Sequence, residues 1–537
     1  MRNSHILPSI FFLLFTFHFP FFTPVFALDR TNVPLKNWGG FSVNRSWVYD
    51  ALEKIVLAGL ADQVLLNTKP LSRVEVARIV AQAVQRIQWD QSGDYNHRGN
   101  LEDLLYQLVR EFGTELSEMG VKTPLNRQPV PGFFQLRPIK HAQFGIDFAS
   151  SSQRSINGFG KPINKGANPI STMDGSVQIG DFLSFYYQPE FSRSEDSNQG
   201  RLLSGYGKLT WMNTELLVGR ESIWWGPGFR GSMSFSSNAF PLDQVRLSSA
   251  EPFRLPWYFR YLGPMKVAAF IAQLDEGRDV SRAKVTGWRV DFAPMNFLEL
   301  GFSRVFQFGG KGRGTLSPGD YFQVLFGSGS DDPDSPKNVN NVMALDFTLR
   351  IPNAERYVFV TRDLTFYGEL GWDDTKGSLP TGIILPDKPG GIVGFLLAGL
   401  FGDPKLDLRF EYARTSELQF NHNIFTSGFT NRGLVLSHFI GTKGSEVYTR
   451  VSRWINPDLL LAFQISQANI GPTRIDQLGV PREKRSSFGF DLSYRFSDHS
   501  SIFLAYNFAR VKNRDFVAGR TGTDNLFRIE FTRSFGQ

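Results

Sequence analysis

The chain contains no cysteine, which excludes a disulfide framework and thiolate metal sites. Past residue 27 it also lacks any apolar run near the roughly 20 residues that a spanning helix requires. Membrane residence of the remaining chain would therefore need strands, closed into a barrel so that no backbone group faces lipid unpaired. Histidine is scarce: of seven in all, five lie past residue 27, at 97, 141, 422, 438 and 499, widely spaced. Neither Gly-x-Ser-x-Gly nor His-Glu-x-x-His occurs, so no nucleophile-plus-base or zinc-hydrolase motif is present. His422 reads as a hydrogen-bonded structural residue. Asp331-Asp332 and Asp373-Asp374 lie in glycine-rich loops and read as solvated turns or weak calcium contacts rather than acid–base pairs. No basic run supports nucleic-acid binding. These absences predict a protein that is not an enzyme and uses no cofactor, catalytic residue or metal.

What is present is aromatic and glycine-rich: 14% Phe, Trp and Tyr, with 51 glycines. A mean hydropathy of −0.21 suits a barrel, whose strands alternate lipid-facing and lumen-facing residues and so stay polar on average. The formal charge of +7 fits basic residues facing lipid phosphates at the rims, or affinity for an acidic polysaccharide. At the N-terminus, Arg2, the apolar residues 9 to 22 and the small-x-small run Val25-Phe26-Ala27 predict a signal peptide over 1–27, cleaved after Ala27.

Residues 46 to 120 predict three amphipathic helices. Ser46 caps the first, which ends near Gly59. Ser72-Arg73-Val74-Glu75 is a capping box ahead of Val76, Ile79, Val80, Ala83, Val84 and Ile87. Asn100 caps the third, with Leu101, Leu104, Leu105, Leu108, Val109 and Phe112 on one face and Gly120 as its stop. The stretch GLADQVLLNTKPLSRVEVARIVAQAV resembles one degenerate S-layer-homology module, a type similar to cell-wall polysaccharide binders; a structural plug or periplasmic cap is the role expected of it here.

From about Pro131 the period changes to 2. Met343, Leu345, Phe347, Leu349 and Ile351 alternate with Val342, Ala344, Asp346, Thr348 and Arg350, and the same pattern holds over 364–373, 406–412 and 488–496. A β-sandwich would alternate likewise, but the number of repeats, the aromatics closing several strands and the signal peptide favour a barrel. The 407 residues from 131 to 537, at roughly 22 per strand with its turn and loop, give about 18 strands; 16 and 20 also satisfy the even-number rule. Phe527, Ile529, Phe531, Arg533 and Phe535 have the alternation of a last outer-membrane strand, although the chain ends in Gly536-Gln537. Polar insertions at 150–176, 307–341, 373–390, 468–486 and 511–525 are the expected outward loops. Residues 309–337 read either as mobile or as folded over the mouth.

Between Gly219 and Pro256 the alternation is lost. Trp225-Gly226-Pro227-Gly228, Gly231-Ser232 and Asn238-Ala239-Phe240-Pro241 specify backbone geometry for its own sake. With Asn296–Gly310, Leu345-Asp346-Phe347, Phe366-Tyr367-Gly368-Glu369, Phe420-Asn421-His422 and Gly428 to Gly433, these elements resemble the Wzi family of outer-membrane capsule-assembly proteins over most of the barrel region. Phe420 and Phe429 depart from the pattern, standing where tyrosines are expected. The resemblance implies a large antiparallel barrel with a periplasmic helical element, located in a Gram-negative outer membrane, acting as a non-enzymatic lectin that assists assembly or surface attachment of capsular polysaccharide.

The organisation expected is thus a signal peptide at 1–27, a periplasmic helical domain at 28–130 and a barrel at 131–537. Capsular or other surface polysaccharide, outer-membrane lipid and the barrel assembly machinery are the expected partners. Arg220, Glu221, Trp224, Trp225, Arg230 and Asn238 are the candidate carbohydrate-binding residues, since sugar C–H faces pack on indoles while Arg, Glu and Asn pair with hydroxyls and carboxylates. Alternatively the segment shapes an internal bend with its indoles filling the lumen. A carbohydrate-selective porin is the second functional reading. Lumen-facing charges of both signs, among them Glu299, Asp346, Arg350, Glu369, Asp407, Arg409, Glu411, Asp491, Arg495, Arg528 and Glu530, suit a salt-bridged interior at least as well as a channel.

Overall fold

The computed structural model describes residues 28–35, 47–89, 101–123, 125, 132–194, 198–326, 329–376 and 385–535. The predicted signal peptide and the caps at Ser46 and Asn100 lie outside the described residues. Eighteen strands form the wall: β1 Phe134–Ala149, β2 Gly166–Ile179, β3 Leu183–Arg193, β4 Asn198–Trp211, β5 Thr214–Glu221, β6 Leu242–Ser249, β7 Met265–Gln273, β8 Lys284–Met295, β9 Leu298–Phe308, β10 Asn340–Ile351, β11 Thr361–Trp372, β12 Gly390–Leu400, β13 Leu406–Arg414, β14 Ser445–Asn456, β15 Leu459–Ile470, β16 Glu483–Ser497, β17 Ser500–Lys512 and β18 Thr521–Ser534. Each pairs antiparallel with the next, and β18 closes on β1 from Ser534↔His141 to Leu526↔Ala149. The barrel has the expected strand number.

Burial along each strand is the reverse of a soluble core. Leu345 is 50% exposed while its neighbour Asp346 is 0% exposed, which a sandwich could not tolerate and a wall facing lipid requires. Turns at one end are short, as at 212–213, 296–297, 457–458 and 498–499. Exposed Trp211, Trp257, Tyr258, Phe297, Phe359 and Phe401 ring that end, as an interfacial girdle does. The long connections, 222–241, 309–339 and 415–444 among them, lie at the other. Short turns face the periplasm and long loops face outward in such barrels.

The N-terminal segment folds into α1 Trp47–Leu57, α2 Arg73–Trp89, α3 Leu101–Glu111 and α4 Gly113–Glu118. The capping box forms: Ser72 N–H donates to Glu75 Oε2 (3.0 Å) and Glu75 N–H to Ser72 Oγ (3.1 Å). Gly59 and Gly120 take the positive φ of helix stops, +77° and +73°. The third predicted helix is interrupted at Phe112, which leaves the helical region at φ −108°, ψ 19°. Arg73 explains why the break is tolerated. Its guanidinium donates to the Glu111 carbonyl (2.7 Å) and to the Glu111 and Glu115 carboxylates (2.8 and 2.5 Å), lying 4.6 Å from the Phe112 ring centre.

The loop at 309–339, described except at 327–328, departs from the expectation of a mobile segment or a cover over the mouth. It turns outward instead of covering the mouth, and its helix α5, Pro318–Phe326, lies on the outer face of the wall. The physical cause is aromatic: Phe306 and Phe308, on the outward side of β9, pack with Tyr321, and Val324 is buried with them.

Candidate functional site

Inside the turn end, the helices bury a common core that includes Leu52, Ile55, Val80, Leu108 and Phe112. Their outer charges meet wall charges: Lys54–Asp407 at 2.5 Å, Glu53–Arg409 at 2.8 Å and Glu75–Lys266 at 2.6 Å. Asp29, ahead of α1, is fully buried. Burial alone would raise its pKa, but Lys140, Arg73 and Arg137 together hold it well below the usual carboxylate range. Between α1 and α2 the chain rises into the middle of the lumen. There Glu299 accepts Leu66 and Asn67 N–H, both at 2.8 Å, and Thr68–Lys69 pairs antiparallel with Trp224–Trp225.

From the loop end, residues 222–241 and 415–444 fold down into the lumen and bond to one another. Asn238 Nδ2 donates to the Val435 carbonyl (3.0 Å), Ser236 Oγ to the Ser437 carbonyl (2.6 Å) and Asn431 Nδ2 to the Phe240 carbonyl (2.9 Å). Neither loop has long regular structure, so its N–H groups need other acceptors, and wall carboxylates provide them. Glu411 accepts Phe229 N–H (2.6 Å), Arg230 N–H (2.9 Å) and the Tyr367 hydroxyl (2.8 Å). Glu369 accepts Met233 N–H (2.9 Å), and Asp373 accepts Phe420 N–H (2.6 Å). Two glycines of the family-like element are dictated by this packing. Gly226 has φ +136°, and a Cβ there would meet Glu369 Oε2 at 2.6 Å; at Gly231 it would meet His438 at 2.4 Å.

Five of the six candidate residues are buried in this interior. Trp225 sets its ring edge-on to Phe235 and Phe270, with centres 5.6 and 5.4 Å away, and Trp224 packs into the helical core. Arg230 donates to Glu446 Oε1 (3.0 Å) and lies 4.7 Å from the Tyr448 ring centre. Burial opposes its charge, and Glu446 more than restores it, so its pKa stands above the ordinary guanidinium value. Glu221 accepts Asn32 Nδ2 (3.2 Å) and Ser222 N–H (3.0 Å). Asn238, besides its bond to Val435, accepts Asn157 N–H at 3.3 Å. Arg220 differs: partly exposed, it forms a two-pronged pair with Asp243 (2.8 and 2.7 Å) near the Phe240 ring. Phe420 and Phe429 are fully buried among apolar side chains, where a tyrosine hydroxyl would need an acceptor. His422 Nδ1 accepts Ile424 N–H (3.2 Å), and burial pushes its pKa down to about 4.

Above this packed interior is a cleft of about 400 Å³ at the loop end. Arg154, Arg474, Arg485, Arg514 and Phe516 line it together with Asn238, so Asn238 joins the candidate segment to the cleft floor. Arg485 and Arg514 share Asp524, while Arg474 pairs with Asp476. Nearby, Arg432 lies 3.9 Å from the Phe240 ring centre, and burial, then Arg220 and Arg201, lower its pKa. Sequence reasoning missed these arginines as site residues, although Arg154, Arg474, Arg485 and Arg514 all fall in predicted outward insertions. A larger groove of about 750 Å³ lies on the outer wall between Phe144, Phe191 and Phe531. It faces the lipid side and has no part in the mouth.

A solved structure of Wzi from Escherichia coli, an outer-membrane protein involved in group 1 capsule assembly and described as a carbohydrate-binding β-barrel, matches 93% of this chain and 100% of its own. The TM-score is 0.69 at 19% sequence identity. The outer-membrane protein OprD from Pseudomonas aeruginosa matches more loosely, with a TM-score of 0.45 at 13% identity over 75% of this chain and 94% of its own. In sequence, an uncharacterized 55.8 kDa protein in the cps region of Klebsiella pneumoniae is 30% identical over 179 residues. That stretch is 33% of this chain and spans only 34% of the curated relative. The family model of the capsule assembly protein Wzi covers residues 138–526, from the first strand to the last, and the chain therefore belongs to the capsule assembly protein Wzi family.

Proposed function

We propose that this chain is a non-catalytic outer-membrane lectin that assists assembly or surface attachment of capsular polysaccharide, holding acidic sugar residues in the arginine-lined mouth. One observation carries the reading: a cleft lined by four arginines, by the carboxylates Glu483, Asp515 and Asp524 and by Phe516 opens outward above an interior already filled from both ends. Guanidinium groups pair with carboxylates in a planar, two-pronged fashion, and an aromatic ring offers a face to sugar C–H groups. In this reading Trp224, Trp225, Arg230 and Glu221 form the scaffold, Asn238 fixes the cleft floor, and Arg220 with Arg432 widens the basic rim. The division into a helical part at 28–130 and a barrel at 131–537 assigns the first a plugging role at the periplasmic end. Capture of β18 by the barrel assembly machinery is part of the same reading.

The test is capsule retained per folded barrel at the cell surface. Replacing Arg154 and Arg474 together by Ala should lower that ratio severalfold or more, since charge-assisted contacts contribute about 1.5 to 3 kcal/mol each, while heat-modifiable gel mobility stays unchanged. Replacing Trp225 by Ala should instead lower the folded yield and leave the ratio intact. An unchanged ratio in the double arginine variant would remove the mouth from the binding function. Large steady conductance of the intact protein in planar bilayers would favour the porin reading.

A further inference from the structure

The apolar groove on the outer wall spans the seam where β18 closes on β1, and one row of the sheet accounts for it. Phe531, Phe144, Ser171, Phe191 and Gly200 are successive cross-strand partners on β18, β1, β2, β3 and β4. Phe144 and Phe191 stand 56% and 54% exposed on the lipid side, and Ser171 between them is too short to fill the gap. Gly200 leaves a second gap beyond Phe191, since a Cβ there would meet only the Phe191 ring, at 3.6 Å. The row covers four interstrand steps, roughly 19 Å at about 4.8 Å each, against the ~15 Å of hydrocarbon in one leaflet. It also descends: Phe191 is two residues from the loop end of β3 at Arg193, whereas Phe531 is three from the turn end of β18 at Ser534. An apolar groove that runs down a lipid-facing wall from its outer rim has the course of an acyl chain.

A second observation is what stands above it. At the loop end the groove opens beside a polar rim that leads over the wall to the arginine-lined cleft. Asn164 Nδ2 donates to Ser194 Oγ (2.9 Å), just past β3, and Lys165 N–H donates to Ser152 Oγ (3.1 Å). Ser152 and, two residues on, the exposed Arg154 line the cleft. Arg193 at the end of β3 is followed by Glu195 and Asp196, which offset its charge, so the exposed Lys165 is the cation of the crossing. Groove, rim and cleft thus follow one another as an acyl chain, a polar linkage and acidic sugars do in an acylated glycan.

We propose that groove and cleft together hold an acidic glycolipid of the outer leaflet, one acyl chain lying along Ser171 and the sugars crossing the rim at Lys165 to reach Arg154. The inference rests on the reading of the cleft as an acidic-sugar site and adds that the glycan is held by its lipid as well as by its sugars. Binding at either contact raises the effective concentration at the other, so the two retain the molecule far longer than one would.

The full-length protein in mild detergent would be exchanged with lipid A, or with lipid A carrying its acidic octulosonate sugars, and read by native mass spectrometry. The wild type should retain the sugar-bearing form severalfold better than lipid A. Ser171→Phe, which fills the gap with a side chain that a lipid-facing wall accepts, should lose both severalfold with unchanged heat-modifiable mobility. Arg154→Gln combined with Lys165→Gln should keep lipid A and lose the preference for the sugar-bearing form. Wild-type retention of both lipids by Ser171→Phe would overturn the proposal, as would a preference that survives the double variant. So would a mass of two chains that Ser171→Phe reduces to one, the mark of a groove that is an interface between copies. A failure of the cleft reading shows separately, as unchanged capsule retention in the Arg154 and Arg474 variant while Ser171→Phe still loses lipid A.

Discussion

The helical bundle at the turn end and the two inward loops at the loop end meet where Thr68–Lys69 pairs with Trp224–Trp225, yet they are held in the lumen by different means. The bundle satisfies most of its backbone internally, has an apolar core that Leu203 of the wall and Phe159, Trp224 and Phe240 of the connections join, and also meets the wall through ion pairs at its surface. The loops leave N–H groups without partners of their own, and Glu369 and Glu411 on the wall, with Asp373 just past the end of β11, accept them. The bundle follows the same rule where its chain becomes irregular, since Glu299 accepts Leu66 and Asn67 N–H. Glu299, Glu369, Asp373 and Glu411 therefore mark places where non-repetitive backbone has been brought against the wall, whereas other buried carboxylates, such as Asp407 and Glu446, pair with cations. The cause is the cost of burying an amide without an acceptor.

The largest effect should come from Glu411→Ala. Losing three acceptor contacts, two to backbone N–H and one to Tyr367, should cost about 3 to 6 kcal/mol, given about 1.5 to 3 for each charged hydrogen bond and less than full additivity. Thermal unfolding in detergent measures it, and Glu411→Gln, which keeps an acceptor oxygen, should lose less. A Glu411→Ala protein as stable as the wild type would refute the view that carboxylates hold the upper loops.

Leu108→Ala should come next, at about 2 to 5 kcal/mol for a fully buried leucine, confined to the turn end. Limited proteolysis should then cut within 47–123 while the barrel strands stay protected. Simultaneous loss of both would mean that the two halves unfold as one unit.

The smallest effect is a pH dependence of opposite sign in the two halves. Burial, with Arg230 nearby, pushes the pKa of His438 in the upper loops down to about 3. The folded state thus binds fewer protons than the unfolded one between about 3 and 6.5. The contribution is intact above pH 6.5 and shrinks on acidification, by about 2 kcal/mol at pH 5. In the bundle, burial and then Glu115 push Glu118 up to about 8. Its contribution is present below pH 4.5 and is lost as the pH rises through 8. Melting of wild type and His438→Gln between pH 5 and 7 measures the first: the slope should be lost in the variant. Protease sensitivity of the bundle between pH 6 and 9 measures the second.

Much of the architecture was legible because it rests on local periodicity. The alternation of Leu345, Phe347 and Leu349 with Asp346, Thr348 and Arg350 predicts both the strand and its two faces, and the Ser72–Glu75 box predicts the start of α2. The candidate site was less legible. Trp225, Arg230 and Asn238 have the chemistry of a sugar platform and equally that of a buried network, since composition does not say which surface a side chain faces. Arg230 meets Glu446, 216 residues away, and no local pattern announces such a partner. The cleft arginines were hidden for a similar reason: Arg154, Arg474 and Arg514 lie on three separate loops, and barrel closure between β1 and β18 brings them together.

The sequence by itself determined the change from helical to strand period near Pro131, the apolar and charged faces of the strands, and a strand number near 18. All of these follow from side-chain spacing along one stretch of chain. Tertiary structure decided where the long loops go. Residues 222–241 turn inward because Glu411, about 180 residues further along, waits in the lumen for their N–H groups. Residues 309–339 turn outward because Phe306 and Phe308 offer an aromatic seat on the other side of the same wall. A loop without periodicity buries its apolar groups and satisfies its amides on whichever surface closure of the barrel sets beside it, and that surface is made of residues far away in the chain.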